Sequence, residues 1–228
     1  MKIEINHTCE NFNSFRSEKV KSLCNAESGH NWQHTAELPI EEDGWQIGLI
    51  VGPSGSGKTS IGNQIWENGI VNLTEGWNSN LPIIEDISPD QDMNVVTSAL
   101  SAVGLGDVPS WLRPFKVLSN GEQFRAGLAR LICEAPDKVV VDEFTSVVDR
   151  QIAKIGAAAF SKAWRKTGKK QIVLLSCHYD IIEWLQPDWV YDTRAGEVKK
   201  KSQNDHLLSS TFGRRAELTG SFLKSIII

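Results

Sequence analysis

Gly52-Pro53-Ser54-Gly55-Ser56-Gly57-Lys58-Thr59 follows the spacing G-x-x-x-x-G-K-[ST] throughout. Glycines at these places let a chain turn tightly and aim its N–H groups at a phosphate. The lysine adds a point charge for the terminal phosphates, and the threonine hydroxyl is a hard oxygen ligand for Mg²⁺. Ser60 adjoins the turn and is included in the expected nucleotide contacts. By itself the motif specifies a nucleoside triphosphate and does not separate ATPase, GTPase and kinase.

A second cluster ends the run Val139-Val140-Val141-Asp142-Glu143. A carboxylate at a strand tip, Asp142, can hold Mg²⁺ directly or through water. The next one, Glu143, can polarise a water for in-line attack on phosphorus. The ordinary alternative for two adjacent acids is a solvated turn. A third cluster, Ser119-Asn120-Gly121-Glu122, opens an apolar-periodic stretch. Small polar residues at a helix start make a second anion-attracting end. His178 follows the apolar run 172–176 and lies 35 residues (178 − 143) beyond Glu143.

The elements that must position these residues are legible as apolar runs and helical periodicities. Trp45 to Val51 and Lys138 to Val141 read as buried strands, as do Ile172 to Ser176 and Trp189 to Tyr191, since both faces of a parallel sheet are covered. Pro82 to Ile87 reads as a further strand. Helices are expected over 59–66, 94–103, 121–134, 150–165 and 180–185, with a short one near 17–24. Strands alternating with helices at this spacing predict an α/β domain with a mostly parallel sheet flanked by helices. Residues 1–37 carry nothing diagnostic. The expected division is an ATPase domain over 1–198 and a tail or partner-contact segment over 199–228, with Lys199 to Lys201 basic and the last residues apolar.

Composition narrows the class. Of 228 residues, 40% are hydrophobic, enough for a sizeable core, and a net charge of −4 argues against non-specific binding to nucleic acid or anionic membrane. Four dispersed cysteines form no metal-ligand pair and suit a reduced, cytoplasmic setting, with Cys177 a small apolar residue rather than a nucleophile. No apolar run reaches the roughly 20 residues that span a bilayer, so no membrane insertion is expected.

Taken in order, these clusters resemble the ATP-binding cassette (ABC) superfamily of P-loop ATPases over about residues 40 to 198. Leu118 to Glu122 is similar to the signature motif LSGGQ, Asp142 to Asp149 to the Walker B and D-loop segment DEPTSALD, and His178 to the H-loop histidine. The resemblance implies ATP and Mg²⁺ as ligands, Glu143 and His178 as catalytic residues, and a head-to-tail homodimer. In that dimer Ser119 and Gly121 of one chain close over the phosphate held by Lys58 of the other. Asn120, Glu122 and Phe144 depart from the usual glycine, glutamine and proline. A glutamate at the signature's end is familiar in soluble relatives acting on DNA or chromosomes. For the Q-loop ligand to the metal, Gln91 is the first choice and Asp86 the rival. For the aromatic that stacks on adenine, Trp32 is preferred over Phe15, and Trp45 is expected to pack.

Lys58 and Ser119 are 61 residues apart (119 − 58), a shorter segment than transporter relatives usually carry. A soluble machine with a reduced helical subdomain and an unknown protein partner, nucleic-acid related among the options, is the first reading. A transporter's nucleotide-binding subunit and a small-molecule kinase are the alternatives. Trp111 to Phe115 is equally a partner contact or a packed loop. Residues 111–150 and 176–192 are also similar to the ATPase portion of bacterial and phage proteins, some of which continue into an acetyltransferase-like domain.

Overall fold

The computed structural model describes residues 1–8, 14–24, 32–67, 69–168 and 171–201. Its centre is a six-stranded sheet of order β4-β5-β6-β3-β7-β8. These strands are β3 (Ile47–Val51), β4 (Ile70–Asn72), β5 (Lys138–Asp142), β6 (Gln171–Ser176), β7 (Trp189–Asp192) and β8 (Glu197–Lys200). All neighbours are parallel except β7 and β8. Parallel pairing demands crossovers, and a crossover puts cover on a sheet face. The central strands are accordingly apolar on both sides, and every residue of β3 is buried.

Alternation along each strand divides the core in two. Leu49, Val51, Val139, Val141 and Leu174 face one layer with helices α4 (Met93–Ala102), α6 (Asn120–Glu134) and α7 (Arg150–Arg165). Ile50, Val140, Val173 and Leu175 face the other. That second face is covered by α2 (Lys58–Gly62) and by a separate antiparallel pair, β1 (Lys2–His7) with β2 (Trp32–Glu37). Ile3, Ile5, Ala36 and Leu38 supply its apolar contacts. The N-terminal region therefore has a structural task that its polar composition concealed. Helix α1 (Phe15–Cys24) lies between β1 and β2 in sequence and has no buried residue.

Between β4 and β5 the chain is helical: α3 (Ile83–Asp86), α4, α5 (Val108–Trp111) and α6. The expected strand over 82–87 is thus a one-turn helix. Its consecutive isoleucines suggested a strand, but Pro82 caps the turn, and Glu85 and Asp86 lie in its first turn, where acids are favoured. Helix α2 stops at Gly62, short of the expected Trp66, and gives way to turns. The last helix, α8 (Ile182–Leu185), is preceded by a 3-10 turn over Tyr179–Ile181. β8 carries the sheet to Lys200, past the boundary expected at 198, and residues 202–228, including the tail from Arg214, lie outside the described residues.

Candidate functional site

The carboxyl ends of β3, β5 and β6 and the start of α2 meet at one cleft of about 590 Å³. Its lining includes Gly55, Lys58, Thr59, Ser60, Asp142 and Glu143. Open α/β sheets bind ligands at such a position, beyond the strand ends.

The loop between β3 and α2 has the shape its glycines permit. Gly57 is the N-cap of α2 with φ 84°, and Gly55 has φ 77°, both left-handed. Gly52 lies against Thr193, so that an added Cβ would collide with the threonine hydroxyl. That hydroxyl donates to Ser56 Oγ at 2.7 Å, and Thr193 N–H donates to the Val51 carbonyl at 2.9 Å. The tip of β7 thus holds the loop, and nothing in the sequence motif had singled out Thr193. Lys58 Nζ donates to the carbonyls of Gly52 and Pro53, at 2.9 and 2.8 Å, which keeps the ammonium over the loop.

Thr59 and Asp142, 83 residues apart in sequence, meet directly: Thr59 Oγ1 donates to Asp142 Oδ2 at 2.7 Å. Asp142 Oδ1 accepts from Glu143 N–H at 2.8 Å. Glu143 then leaves the strand with φ 49°, a conformation that is uncommon outside glycine and concentrates at functional sites. A hydroxyl beside a carboxylate is a hard-oxygen pair that suits Mg²⁺, which takes one or two protein ligands and completes its shell with phosphate and water. The residues present therefore fit that ion. Among the described residues no cluster of three or more His, Cys, Asp or Glu could hold a metal by itself.

Phe144, where the resembled family has proline, is fully buried and packs edge-on against Phe124 of α6 and tilted against Phe160 of α7. It ties the acidic turn to both helices. Thr145 follows, also fully buried, 3.0 Å from His178 Nδ1 and 3.0 Å from Ser176 Oγ. Asp149 caps α7 by accepting from Gln151 N–H at 2.8 Å. Arg150 pairs with Asp180, two residues beyond His178. Burial lowers the pKa of His178, helped by the Arg150 cation and opposed by Asp180, so the imidazole is neutral at pH 7.

Ser119 is the N-cap of α6 and completes a capping box with Glu122. Glu122 Oε2 accepts from Ser119 N–H at 2.8 Å and from Ser119 Oγ at 2.6 Å, and Oε1 accepts from Ser110 Oγ at 2.7 Å. These hydrogen bonds, from the Ser119 side chain first and then Ser110, lower its pKa to about 2. Within the chain the contacts of Glu122 are those of a helix cap. Ser119, Asn120 and Gly121 stay at the helix end and do not line the cleft of Lys58.

Two expectations find no place there. Gln91 donates to the Cys133 carbonyl at 3.1 Å, near the C-terminal end of α6, and does not line the cleft. Its rival Asp86 accepts from Asn78 N–H at 2.8 Å. The register instead brings Asn72, the last residue of β4, beside Asp142. A three-residue edge strand with half-buried side chains gave no readable periodicity. Trp32 begins β2, but its side chain lies outside the described residues; Phe15 is 84% exposed on α1. Trp45 is buried and stacks on Trp66, as expected of a packing residue. The 111–115 segment divides: Phe115 is buried and stacks on Trp77, Trp111 donates to the Leu105 carbonyl at 2.7 Å, and Leu112 is 67% exposed.

With a glycine-rich loop at the strand ends, a mostly parallel sheet and a helical segment inserted between β4 and β5, the molecule is an α/β domain of the P-loop fold. It shares its fold with the solved dimeric structure of a post-hydrolysis state of the ATP-binding cassette MJ0796 bound to ADP and Pi. That likeness has a TM-score of 0.56 at 15% identity, covering 91% of this chain and 100% of the other. No protein-family model matches the chain, and no curated protein does.

Proposed function

We propose that this chain binds and hydrolyses ATP with Mg²⁺, and does so as a head-to-tail homodimer in which each nucleotide is shared. The observation that carries the reading is the 2.7 Å hydrogen bond between Thr59 and Asp142, with Glu143 next in line. It joins the phosphate loop to the acidic strand end in one cleft, as phosphoryl transfer requires. Gly52 to Ser60 cradle the phosphates, with Lys58 supplying charge. Thr59 and Asp142 would hold Mg²⁺, which supplies charge neutralisation of the phosphates when bound. Glu143 orients and polarises the attacking water, and His178 donates to the terminal phosphoryl group.

The dimer is supported by a mismatch within one chain. The start of α6 at Ser119–Gly121, which the resemblance assigns to a nucleotide contact, does not line the chain's own cleft. Val117, just before it, and Val147, in the turn before Asp149, are 57% and 49% exposed, apolar groups that a second copy would cover. Glu122 serves by holding Ser119 in place.

Among the described residues no helix is long and apolar enough to cross a membrane. The short segment of 61 residues (119 − 58) between Lys58 and Ser119 is what favours a soluble, cytoplasmic machine acting on a protein partner over a transporter subunit, with residues 199–228 as its contact segment. Hydrolysis of Mg²⁺-ATP without any added acceptor separates this reading from a small-molecule kinase. Phosphate release at a rate that rises with the square of protein concentration at low concentration supports it. Release that requires an acceptor molecule removes it.

A further inference from the structure

We propose that Thr145 and Ser176 form a one-way hydrogen-bond relay that fixes His178 as the tautomer protonated on Nε2, and that Thr145 is thereby a positioning residue for the site. That this nitrogen then faces a phosphoryl oxygen rests on the reading above; the relay itself does not.

The direction of the relay follows from counting protons. The backbone N–H of His178 can only donate, and it donates to Ser176 Oγ at 3.1 Å. Ser176 Oγ lies 3.0 Å from Thr145 Oγ1, and Thr145 Oγ1 lies 3.0 Å from His178 Nδ1. Ser176 is 1% exposed and Thr145 0%, so neither hydroxyl is open to bulk water. Two hydroxyl protons must be placed in two contacts. If Ser176 donates to Thr145 and Thr145 donates to Nδ1, both protons are used. If Nδ1 carries the ring proton instead, it occupies Thr145 as acceptor. One of the two hydroxyl protons is then left without an acceptor among the described residues, and a buried unmade hydrogen bond is unfavourable. Only the first arrangement satisfies every donor. It requires Nδ1 to be bare and places the proton of the neutral ring on Nε2.

The charged groups around the ring agree with a neutral imidazole. Arg150 stands beside His178 and pairs with Asp180, with Lys154 3.4 Å from the same carboxylate. Burial first, then the Arg150 cation, disfavour a second proton on the ring against the opposing Asp180 carboxylate. A neutral ring can offer only one donor, so the tautomer decides whether it donates or accepts toward a ligand. An imidazole with the proton on Nδ1 would present a lone pair to a phosphoryl oxygen and repel it. Thr145 does not touch nucleotide in this scheme. It acts through His178.

The test is the protonation of each ring nitrogen of His178, read from ¹⁵N chemical shifts and long-range ¹H–¹⁵N couplings in histidine-labelled full-length protein without nucleotide. Comparison with His178→Gln picks its signals out of the 5 histidines. The relay predicts bare Nδ1 and protonated Nε2 in the wild type at neutral pH, and in Thr145→Ser, which keeps the hydroxyl. In Thr145→Val, equal in shape but without the donor, the preference for that tautomer is lost. A wild-type ring protonated on Nδ1 overturns the relay without need of any variant, as does a Thr145→Val ring unchanged from wild type. ATP turnover is read in the same proteins. A drop of roughly tenfold in kcat for Thr145→Val, restored in Thr145→Ser, joins the relay to the reaction. A changed tautomer with wild-type turnover leaves the relay standing and removes His178 from the proposed phosphate contact.

Discussion

Lys58 concentrates its charge on a loop of backbone dipoles, so Lys58→Ala should weaken ATP binding by about 1.5–3 kcal/mol, roughly ten- to a hundredfold in Kd. Titration with a labelled, non-hydrolysable analogue measures it, and unchanged affinity would remove Lys58 from the cradle. Glu143→Gln keeps shape and polarity but not the base. It should bind ATP normally and turn over about 10²–10⁴-fold more slowly, a loss of the size general-base removal gives. Single-turnover kinetics separates that from slowed product release. Glu122 makes a pH-dependent contribution. Its folded pKa of about 2 lies below its ordinary 4.5, so its stabilisation is complete above about pH 4.5 and is lost as pH falls toward 2. Urea midpoints measured across that window should fall more steeply for wild type than for Glu122→Gln. Parallel slopes would show that the carboxylate's cap contacts are absent in solution.

At the scale of elements, close approach between strands makes a sharp demand. Gly48 of β3 sits opposite Trp189 of β7, and an added Cβ would run into the indole's six-membered ring. Gly48→Ala should therefore destabilise the domain by about 1–3 kcal/mol, the range for overpacking a core, and calorimetry should show partial recovery when Trp189→Phe is added. A neutral Gly48→Ala would contradict this packing. The strands that carry the site were legible because a buried parallel strand is an uninterrupted apolar run: 45–51, 138–141 and 172–176 read as strands, and strands form over Ile47–Val51, Lys138–Asp142 and Gln171–Ser176, with the motifs at their ends. The glycine-rich turn before α2, the acids at the end of β5 and the start of α6 were legible from residue type and periodicity, while the signature was named only through the resemblance. What sequence did not disclose depended on contact between distant segments. Thr193 touches the phosphate loop only because β7 pairs with β3. Asn72 lies beside Asp142 in the backbone only through the β4–β5 register. Ile3 and Ile5 do alternate with charged residues, a half-buried strand signal that was available in a region read as undiagnostic. Gln91, chosen as a plausible residue type in a polar loop, is bonded to another element in this structure.

For the whole molecule, the claim is that one chain holds two halves of different sites. Its cleft offers Lys58, Thr59 and Asp142, while the helix start at Ser119, capped within the chain by Glu122, does not line that cleft and would meet a phosphate only from another copy. A shared nucleotide adds its binding energy to association, so the dimer should form only with ATP present and dissolve after hydrolysis. Ser119→Arg should leave binding to the isolated chain near wild type, because the cradle lies within one chain, and should block pairing by setting a bulky cation at the helix start. The most direct test is the mass of Glu143→Gln by light scattering with and without Mg²⁺-ATP. On adding nucleotide the mass should shift from the 25.3 kDa of one chain to twice that value, and Ser119→Arg in the same background should abolish the shift. A mass that stays at 25.3 kDa with saturating Mg²⁺-ATP at high micromolar protein would contradict it.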